Sequence, residues 1–183
     1  MTKKRLYIAY GSNLNLKQMA LRCPTAKPIG TAELKNHELV FRGRKRGGVA
    51  TVEPKADSSV PVLVWSIKPK DEIALDCYEG FPHFYAKQMM DMELDGKTVS
   101  TMAYVMTPGH EAGYPSQYYL DIIAEGYKNA GFDPTILIVA LERTEEIMRQ
   151  EMEQLTTESE NGQDDMEQVI EEQYDGGGPK FGM

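Results

Sequence analysis

The sequence has few of the residues on which metal centres and disulfide frameworks depend. Its 183 residues include two cysteines and three histidines. Cys23 and Cys77 do not form a Cys-x-x-Cys zinc or redox motif. His37 and His110 stand in isolated loop contexts and suggest surface positions rather than metal ligands. The pattern fits a reducing compartment and predicts no metal site.

Long hydrophobic runs are also missing. The longest aliphatic run, ILIVAL at 136–141, is far too short to span a bilayer. The apolar stretch after Lys3, Lys4 and Arg5 ends at Gly11, which is shorter than a signal-peptide core requires. We therefore expect a cytoplasmic protein with no membrane partner.

The negative charge is confined to one end of the chain. The formal net charge is -8, but residues 151–183 contain ten Asp or Glu and one Lys, which leaves nineteen basic and eighteen acidic residues, or +1, for residues 1–150. Within this body, FRGRKRGG at 41–48 concentrates four positive charges. The run lacks the interleaved aromatic residues of single-strand binders. It predicts a solvated loop, and we expect no nucleic-acid partner.

The first part of the chain alternates between strand and helix signals. A strand is predicted at 5–9 and a helix at 16–22, with Asn15 and Gln18 in the positions of a capping box. ELVF, GGVATVEP and VPVLVWSI are short, β-branched and bounded by turn residues, which is typical of strands. Asp95-Gly96 between two further strands predicts a hairpin.

Two more helices are predicted at about 70–78 and 116–130. Gly80 and Gly131 follow them in the position of left-handed caps. Because strands outnumber helices and most connections look antiparallel, the fold class is α+β. We expect a small mixed, mostly antiparallel β-barrel with flanking helices.

The C-terminal region gives a weaker pattern. ILIVAL fits either a strand or a buried helix, the segment at 142–155 is typical of a helix, and TTESENGQDD at 156–165 resembles a solvated linker. We predict a domain over 1–141 and an acidic helical extension over 142–183. In this extension we expect the helix to pack on the body and residues 156–183 to be mobile.

The stretch LYIAYGSNLN at 6–15 is the first candidate for a binding site. A chain that leaves a strand through Gly11 into a helix start presents several backbone N–H groups at one place, and such a cradle binds carboxylate or phosphate. Ser12 and Asn13 add side-chain donors. The alternative is an ordinary tight turn, which the same residue types favour.

The second candidate is Glu79, within LDCYEGFPHFY at 75–85. It stands at a predicted helix C-terminus among aromatic residues, where the helix dipole and the apolar surround both raise the pKa of a carboxyl group. Such a group suits general acid/base catalysis. An exposed glutamate before a capping glycine is the alternative. A Cys77–His83 nucleophile pair is disfavoured, because Cys77 should point into the core.

Six motifs, taken together, resemble the γ-glutamylcyclotransferase family (AIG2-like fold). They span roughly residues 6–133 and are AYGSNL, GGVATV, VLVWSI, ALDCYEGF followed by Tyr85, AYVMT and PSQYYLDIIAEGYKNAGF. The resemblance implies a β-barrel enzyme, in some members a homodimer, that cyclises a small-molecule γ-glutamyl substrate to 5-oxoproline and releases an amino acid or amine without a cofactor. The segment after Phe132 has no counterpart among these motifs.

By the same resemblance, the family's glutamate corresponds to Glu79, which would be the catalytic acid/base. The implied substrate-binding residues are Tyr7, Ile8, Ala9, Tyr10, Gly11, Ser12, Asn13, Leu14 and Tyr85, together with Tyr118 from the long helix. A non-catalytic anion-binding protein on the same fold is the alternative from another functional class.

Overall fold

The computed structural model describes residues 4–174, with side chains described over residues 4–158. Five strands and four helices follow one another along this part of the chain. They are β1 (Arg5–Ala9), a 3₁₀ turn (Ser12–Leu14), α1 (Leu16–Arg22), β2 (Lys27–Arg42), β3 (Val49–Ile67), α2 (Pro69–Glu79), β4 (Tyr85–Leu94), β5 (Lys97–Met106), α3 (Gln117–Ala130) and α4 (Thr135–Tyr174). The predicted α+β class is confirmed.

The strands form one sheet in the order β2-β3-β1-β5-β4. All neighbouring pairs are antiparallel except β1 and β5, which run parallel with Tyr7 opposite Met102. The sheet is rolled, since Leu94 of β4 lies against Gly30 of β2. Within the described residues, however, the edge strands β2 and β4 are not hydrogen-bonded neighbours. The expectation of a barrel is therefore corrected to a curved, open sheet.

One long strand replaces two that the sequence suggested. VATVEP at 49–54 and VPVLVWSI at 60–67 both lie in β3, which runs from Val49 to Ile67, while Gly47 and Gly48 precede it. The register with β2 shifts between these two stretches. Prolines usually end strands because they donate no ladder hydrogen bond. Pro54 and Pro61 are tolerated because β1 pairs only with residues 63–67 of β3, so no strand among residues 4–174 pairs with that edge of β3 where the prolines lie.

The predicted turn and cap chemistry is largely confirmed. Asp95 and Gly96 both adopt positive φ in the β4–β5 hairpin. Gly80 and Gly131 end α2 and α3 in the left-handed conformation. The Asn15 side chain caps α1 by accepting from the backbone N–H groups of residues 17 and 18. The reciprocal half of that capping box is not formed, because the Gln18 side chain accepts from Arg22 instead (2.8 Å).

The region after α3 is helical. Residues 136–141 lie in α4, which settles the choice between strand and helix, and the helix continues through the expected linker at 156–165. The backbone N–H of Phe41 in β2 donates to Thr144 Oγ1 of α4 (3.0 Å). Of the helices the structure describes, none is both long and apolar enough to cross a membrane.

The chain divides into two units after Glu146. The first unit contains the sheet, α1–α3 and the start of α4. The acidic extension proposed for 142–183 remains a prediction, and its final residues, 175–183, lie outside the described part of the chain. The mobility expected for 156–183 is likewise a prediction.

Helix α3 fixes the turn that follows β1. A Cβ atom added to Gly126 would lie 2.6 Å from Leu14 Cβ and 2.9 Å from the Asn15 backbone nitrogen, so only glycine permits this approach. Asn15 Nδ2 also donates to the Ile122 carbonyl (3.1 Å) and to Glu125 Oε2 (3.0 Å). The turn therefore takes its position from a helix more than a hundred residues away in the chain.

We predict that Gly126→Ala lowers the free energy of unfolding by about 1–3 kcal/mol, because the added methyl group overpacks this contact. In an open helix position the same change would stabilise the protein by up to about 1 kcal/mol. Urea unfolding measures the difference. Asn129→Ala, at an exposed position of the same helix, is the matched control. Wild-type stability of Gly126→Ala would contradict the packing argument.

Candidate active site

A cavity of about 210 Å³ opens where the end of α2 meets the turn after β1. This volume is below the roughly 300–1,000 Å³ of pockets for drug-sized ligands. The cavity therefore accommodates a molecule, or part of a molecule, that is smaller than a typical drug. Aromatic residues dominate its wall. The lining residues are Tyr7, Tyr10, Gly11, Ser12, Asn13, Val49, Ala50, Tyr78, Glu79, Phe84, Tyr85, Tyr104 and Tyr119.

Glu79 brings the carboxyl group into this wall. It is the last residue of α2, and the left-handed turn at Gly80 directs the chain away immediately after it. The residue as a whole is half-buried, but its carboxyl group is desolvated inside the cavity, and this burial raises the pKa of Glu79 to about 7. The positive charge of Arg22 and a hydrogen bond from Asn13 oppose the rise without cancelling it.

The predicted rise is therefore confirmed, with burial as its main cause. The carboxyl group is poised to change its charge near neutral pH.

Asn13 connects Glu79 to the first strand. Its Nδ2 donates to Glu79 Oε1 (2.9 Å) and to the Tyr7 hydroxyl (2.9 Å). Its Oδ1 accepts from Arg22 Nη1 (2.7 Å). Both N–H groups of this buried amide and one of the two lone pairs on its oxygen are therefore engaged in hydrogen bonds.

The turn that carries Asn13 is also the expected cradle. Within the described part of the chain, the backbone N–H groups of Gly11, Ser12 and Asn13 have no recorded acceptor, as expected for the first donors of a 3₁₀ turn. Gly11 is closely packed, since an added Cβ would lie 3.2 Å from Ala50 Cβ and 3.3 Å from the Tyr119 hydroxyl. The cradle therefore has backbone N–H groups that can bind an anion, and its first residue must be glycine because a side chain would not fit there.

Buried tyrosines close the other sides of the cavity. The Tyr10 hydroxyl donates to the Tyr104 carbonyl, and the Tyr85 hydroxyl donates to the Ala50 carbonyl (2.6 Å). The Tyr119 hydroxyl accepts from the Ala50 backbone N–H (3.1 Å). Burial raises the pKa of these three phenols and of the Tyr104 phenol, so all four stay neutral at neutral pH.

The structure separates the residues expected at the site into two groups. Tyr7, Tyr10, Gly11, Ser12, Asn13, Glu79 and Tyr85 meet at the cavity. The others do not line it. Ile8, Ala9 and Leu14 are buried in the core, because neighbours along the strand and turn face other directions. Tyr118 is 74% exposed, and Tyr119, one position further along α3, lies in the wall instead.

Several site residues were missed from the sequence. Tyr78 and Tyr104 line the cavity, and Arg22 supports it from behind. Tyr78 adjoins Glu79, and Tyr104 lies in the AYVMT motif. Both residues therefore belong to family motifs, but the sequence does not indicate that their side chains line the cavity. The expectation that Cys77 is buried was wrong, since its side chain is exposed. His83 is exposed as well.

The part of the chain that forms the cavity matches a known protein family. The family model "Gamma-glutamyl cyclotransferase, AIG2-like" matches residues 7–126, which include every lining residue of the cavity. The chain belongs to the γ-glutamylcyclotransferase family. It is therefore an enzyme of that family, and the resemblance noted in its motifs is confirmed.

Individual γ-glutamylcyclotransferases show how far the likeness extends. Those of Homo sapiens and Mus musculus are each 30% identical to this chain over 135 residues, which cover 69% of this chain and 71% of the relative. A solved structure of a γ-glutamyl cyclotransferase superposes with a TM-score of 0.66 at 28% identity, covering 79% of this chain and 86% of that one.

Among the side chains that the structure describes, no three His, Cys, Asp or Glu residues cluster so as to hold a metal ion. In the cavity wall, Glu79 supplies the carboxyl group and the remaining polar groups are hydroxyls, one amide and backbone donors. This set of groups is suited to binding a small zwitterion and moving one proton.

The raised pKa of Glu79 predicts a pH-dependent stability. Between the unfolded value of about 4.3 and the folded value of about 7, the folded state holds a proton that the unfolded state has lost. The stability contributed by Glu79 is therefore greatest below this window and falls as the pH rises through it. Above pH 7 the protein retains the full cost of a buried carboxylate.

Glu79→Gln should therefore gain stability relative to the wild type, by up to about 3 kcal/mol, as the pH rises from 4 to 8. Urea unfolding at several pH values measures the change. Glu33→Gln, which alters an exposed carboxyl group, serves as the control. A Glu79→Gln difference that is the same at pH 4 and pH 8 would show that Glu79 does not titrate near 7.

Proposed function

We propose that this enzyme cyclises a γ-glutamyl amino acid or γ-glutamyl amine to 5-oxoproline, with Glu79 as general acid/base. The observation that carries the proposal is that the buried Glu79 carboxyl group lies beside the backbone N–H cradle of the turn after β1. The cavity that contains both is of a size suited to a γ-glutamyl group. The γ-glutamyl group would occupy the cavity, and the amine to be released would extend from its mouth.

The substrate's α-carboxylate would be anchored by the N–H groups of Gly11 and Ser12. This contact leaves the α-amino group close to Glu79, because Asn13 in the same turn is hydrogen-bonded to that carboxyl group (2.9 Å). The α-amino nitrogen then attacks the γ-carbonyl and closes the ring. Orientation of an intramolecular attack contributes on the order of 7 kcal/mol, so no protein nucleophile is needed.

Proton transfers complete the reaction. The substrate's ammonium group loses one proton to the Glu79 carboxylate before it attacks, and the departing nitrogen receives a proton from the Glu79 carboxyl group as the C–N bond breaks. After the attack the ring nitrogen loses its second proton, which the released amine takes up as it leaves in the ammonium form. A group with a pKa of about 7 both accepts and returns a proton near neutral pH. This balance favours one residue in both roles.

A hydroxyl donor is available for the oxyanion that develops on the γ-carbonyl. The Tyr85 proton is engaged with the Ala50 carbonyl. The Tyr7 oxygen accepts from Asn13, and within the described residues its own proton has no recorded acceptor. Burial raises the pKa of Tyr7, which keeps that proton in place. We therefore propose Tyr7 rather than Tyr85 as the donor.

Glu79→Gln should lower 5-oxoproline formation by about 10²–10⁴-fold, because glutamine cannot exchange the proton. The assay follows 5-oxoproline and the released amine across a panel of γ-glutamyl amino acids and γ-glutamyl amines, and it also identifies the leaving group. Cys77→Ser, an exposed change in the same helix, should retain wild-type activity. Binding of the panel without turnover by the wild type would instead favour the non-catalytic anion-binding alternative.

Neighbouring tyrosines of α3 offer a matched pair of variants. Tyr119→Phe removes a hydroxyl that holds Ala50 in the cavity wall, and we expect kcat/KM to fall by about 10-fold, the effect of one lost hydrogen bond. Tyr118→Phe alters an exposed residue and should match the wild type. Equal effects of the two substitutions would contradict the placement of Tyr119 in the substrate cavity.

A cytoplasmic location and a homodimer remain predictions. The first rests on the cysteine content and on the short hydrophobic runs, and the second on the family resemblance. Sedimentation of the purified protein measures its oligomeric state, and fractionation of its source cells locates it.

A further inference from the structure

Arg22 lies behind the cavity wall rather than in it. It is the last residue of α1, and its guanidinium group makes four contacts. Nη1 donates to Asn13 Oδ1 (2.7 Å) and to Ser12 Oγ (3.2 Å), and Nη2 donates to Gln18 Oε1 (2.8 Å). The guanidinium carbon stands 3.7 Å from the centre of the Tyr78 ring. Two of these partners, Asn13 and Tyr78, flank Glu79.

The first consequence of this position is a fixed orientation of the Asn13 amide. An amide group can rotate to exchange its oxygen and its NH₂ group, but a guanidinium group only donates. Arg22 therefore requires the oxygen of Asn13 on its own side. The NH₂ group is then directed at Glu79 and Tyr7, where it donates to both.

The second consequence concerns charge. Among the residues whose side chains are described, no carboxylate lies within ion-pair distance of Arg22, and its hydrogen-bond acceptors are neutral oxygens. Its positive charge is therefore not cancelled locally. It favours the carboxylate form of Glu79 and opposes the effect of burial.

Phenols from four other elements also face Glu79. Burial raises the pKa of the hydroxyl groups of Tyr7 in β1, Tyr10 after it, Tyr85 in β4, Tyr104 in β5 and Tyr119 in α3, so these groups are neutral near pH 7. Tyr78 in α2 lines the same cavity. Asp76, Glu72 and Lys87 form a separate ion cluster, in which Asp76 accepts from the Tyr104 hydroxyl (2.5 Å) and pairs with Lys87 (2.7 Å). Arg22 is thus a cation that acts on Glu79 through the turn.

We propose that Arg22 is a positioning residue for the reaction: through Asn13 it fixes the donor that Glu79 and Tyr7 receive, and its positive charge acts on the Glu79 carboxyl group through the same turn. The inference rests on the proposed role of Glu79. It assigns Arg22 no contact with the substrate.

The main test is the pH profile of kcat/KM for Arg22→Met. Without the positive charge of Arg22, the acidic limb of the profile should shift to higher pH, on the order of one pH unit. The kcat value at pH 7 should fall, by up to about 100-fold, while KM changes less. Lys27→Met removes one positive charge from an exposed position and should leave both the limb and kcat unchanged.

Arg22→Lys separates the two effects. Lysine keeps the charge but lacks the planar fork that holds Asn13, Ser12 and Gln18 together. For Arg22→Lys we expect the acidic limb of the kcat/KM profile to lie at nearly the same pH as in the wild type, and we expect kcat to be reduced. With Arg22→Ala, added guanidinium ion should restore part of the activity, and the same ion should not restore Glu79→Gln. If Arg22→Met does not fold, a folded Arg22→Lys with wild-type kcat would overturn the positioning role.

A second readout does not depend on turnover. In protein with ¹³C-labelled glutamate carboxyl groups, the Glu79 signal is the one absent from Glu79→Gln, and NMR titration gives its pKa directly. A higher Glu79 pKa in Arg22→Met supports the inference. An unchanged pKa and pH limb in folded Arg22→Met would overturn it. Full activity of Glu79→Gln would instead refute the proposed function, and the titration would still decide whether Arg22 acts on Glu79.

Discussion

The hydrogen bond between Asn13 Nδ2 and Glu79 Oε1 joins two segments that are 66 residues apart in the chain. One segment carries the backbone donors of the turn after β1, and the other carries the carboxyl group at the end of α2. Neither segment forms a site alone. Because the bond has an ordinary length (2.9 Å) and is partly buried, it holds the donors and the carboxyl group in a defined relative position.

Several independent contacts keep the two segments in place. Thr25, just after α1, donates to the Asp71 carboxylate (2.7 Å), which also accepts from the Lys68 backbone N–H (2.9 Å) at the start of α2. On the other side, Gly126 allows α3 to approach the turn. The sheet positions β1 between β3 and β5. The site is therefore built on helix ends and strand ends that are held by the core, which suits a preorganised cavity.

Burial has two opposite effects at this site. It raises the pKa of Glu79 to about 7, which disfavours the carboxylate, and it raises the pKa of the surrounding phenols, which keeps them as neutral donors or acceptors. An aromatic wall thus supplies hydroxyl groups without adding negative charge. Arg22 and Asn13 lower the pKa of Glu79, and the balance leaves it close to neutral pH.

Much of the local structure could be predicted from the sequence. The bounds of β1 and α1, the left-handed Gly80 and Gly131, and the Asp95-Gly96 hairpin follow from propensities and hydrogen bonds between residues close in the chain. The continuity of β3 through Pro54 and Pro61 could not be predicted, because it depends on where β1 ends beside it. The open sheet edge between β2 and β4 has a similar origin in long-range geometry.

The sequence by itself determined that a glycine turn follows a strand, that Glu79 ends a helix, and that both belong to a known family pattern. Only the tertiary structure decided that Tyr119 rather than Tyr118 lines the cavity, that Cys77 is exposed, and that Arg22 reaches Asn13 from behind the wall. The physical reason is the range of the interactions. Caps and turns are formed by near neighbours, whereas burial, pKa and side-chain partners depend on how distant elements pack.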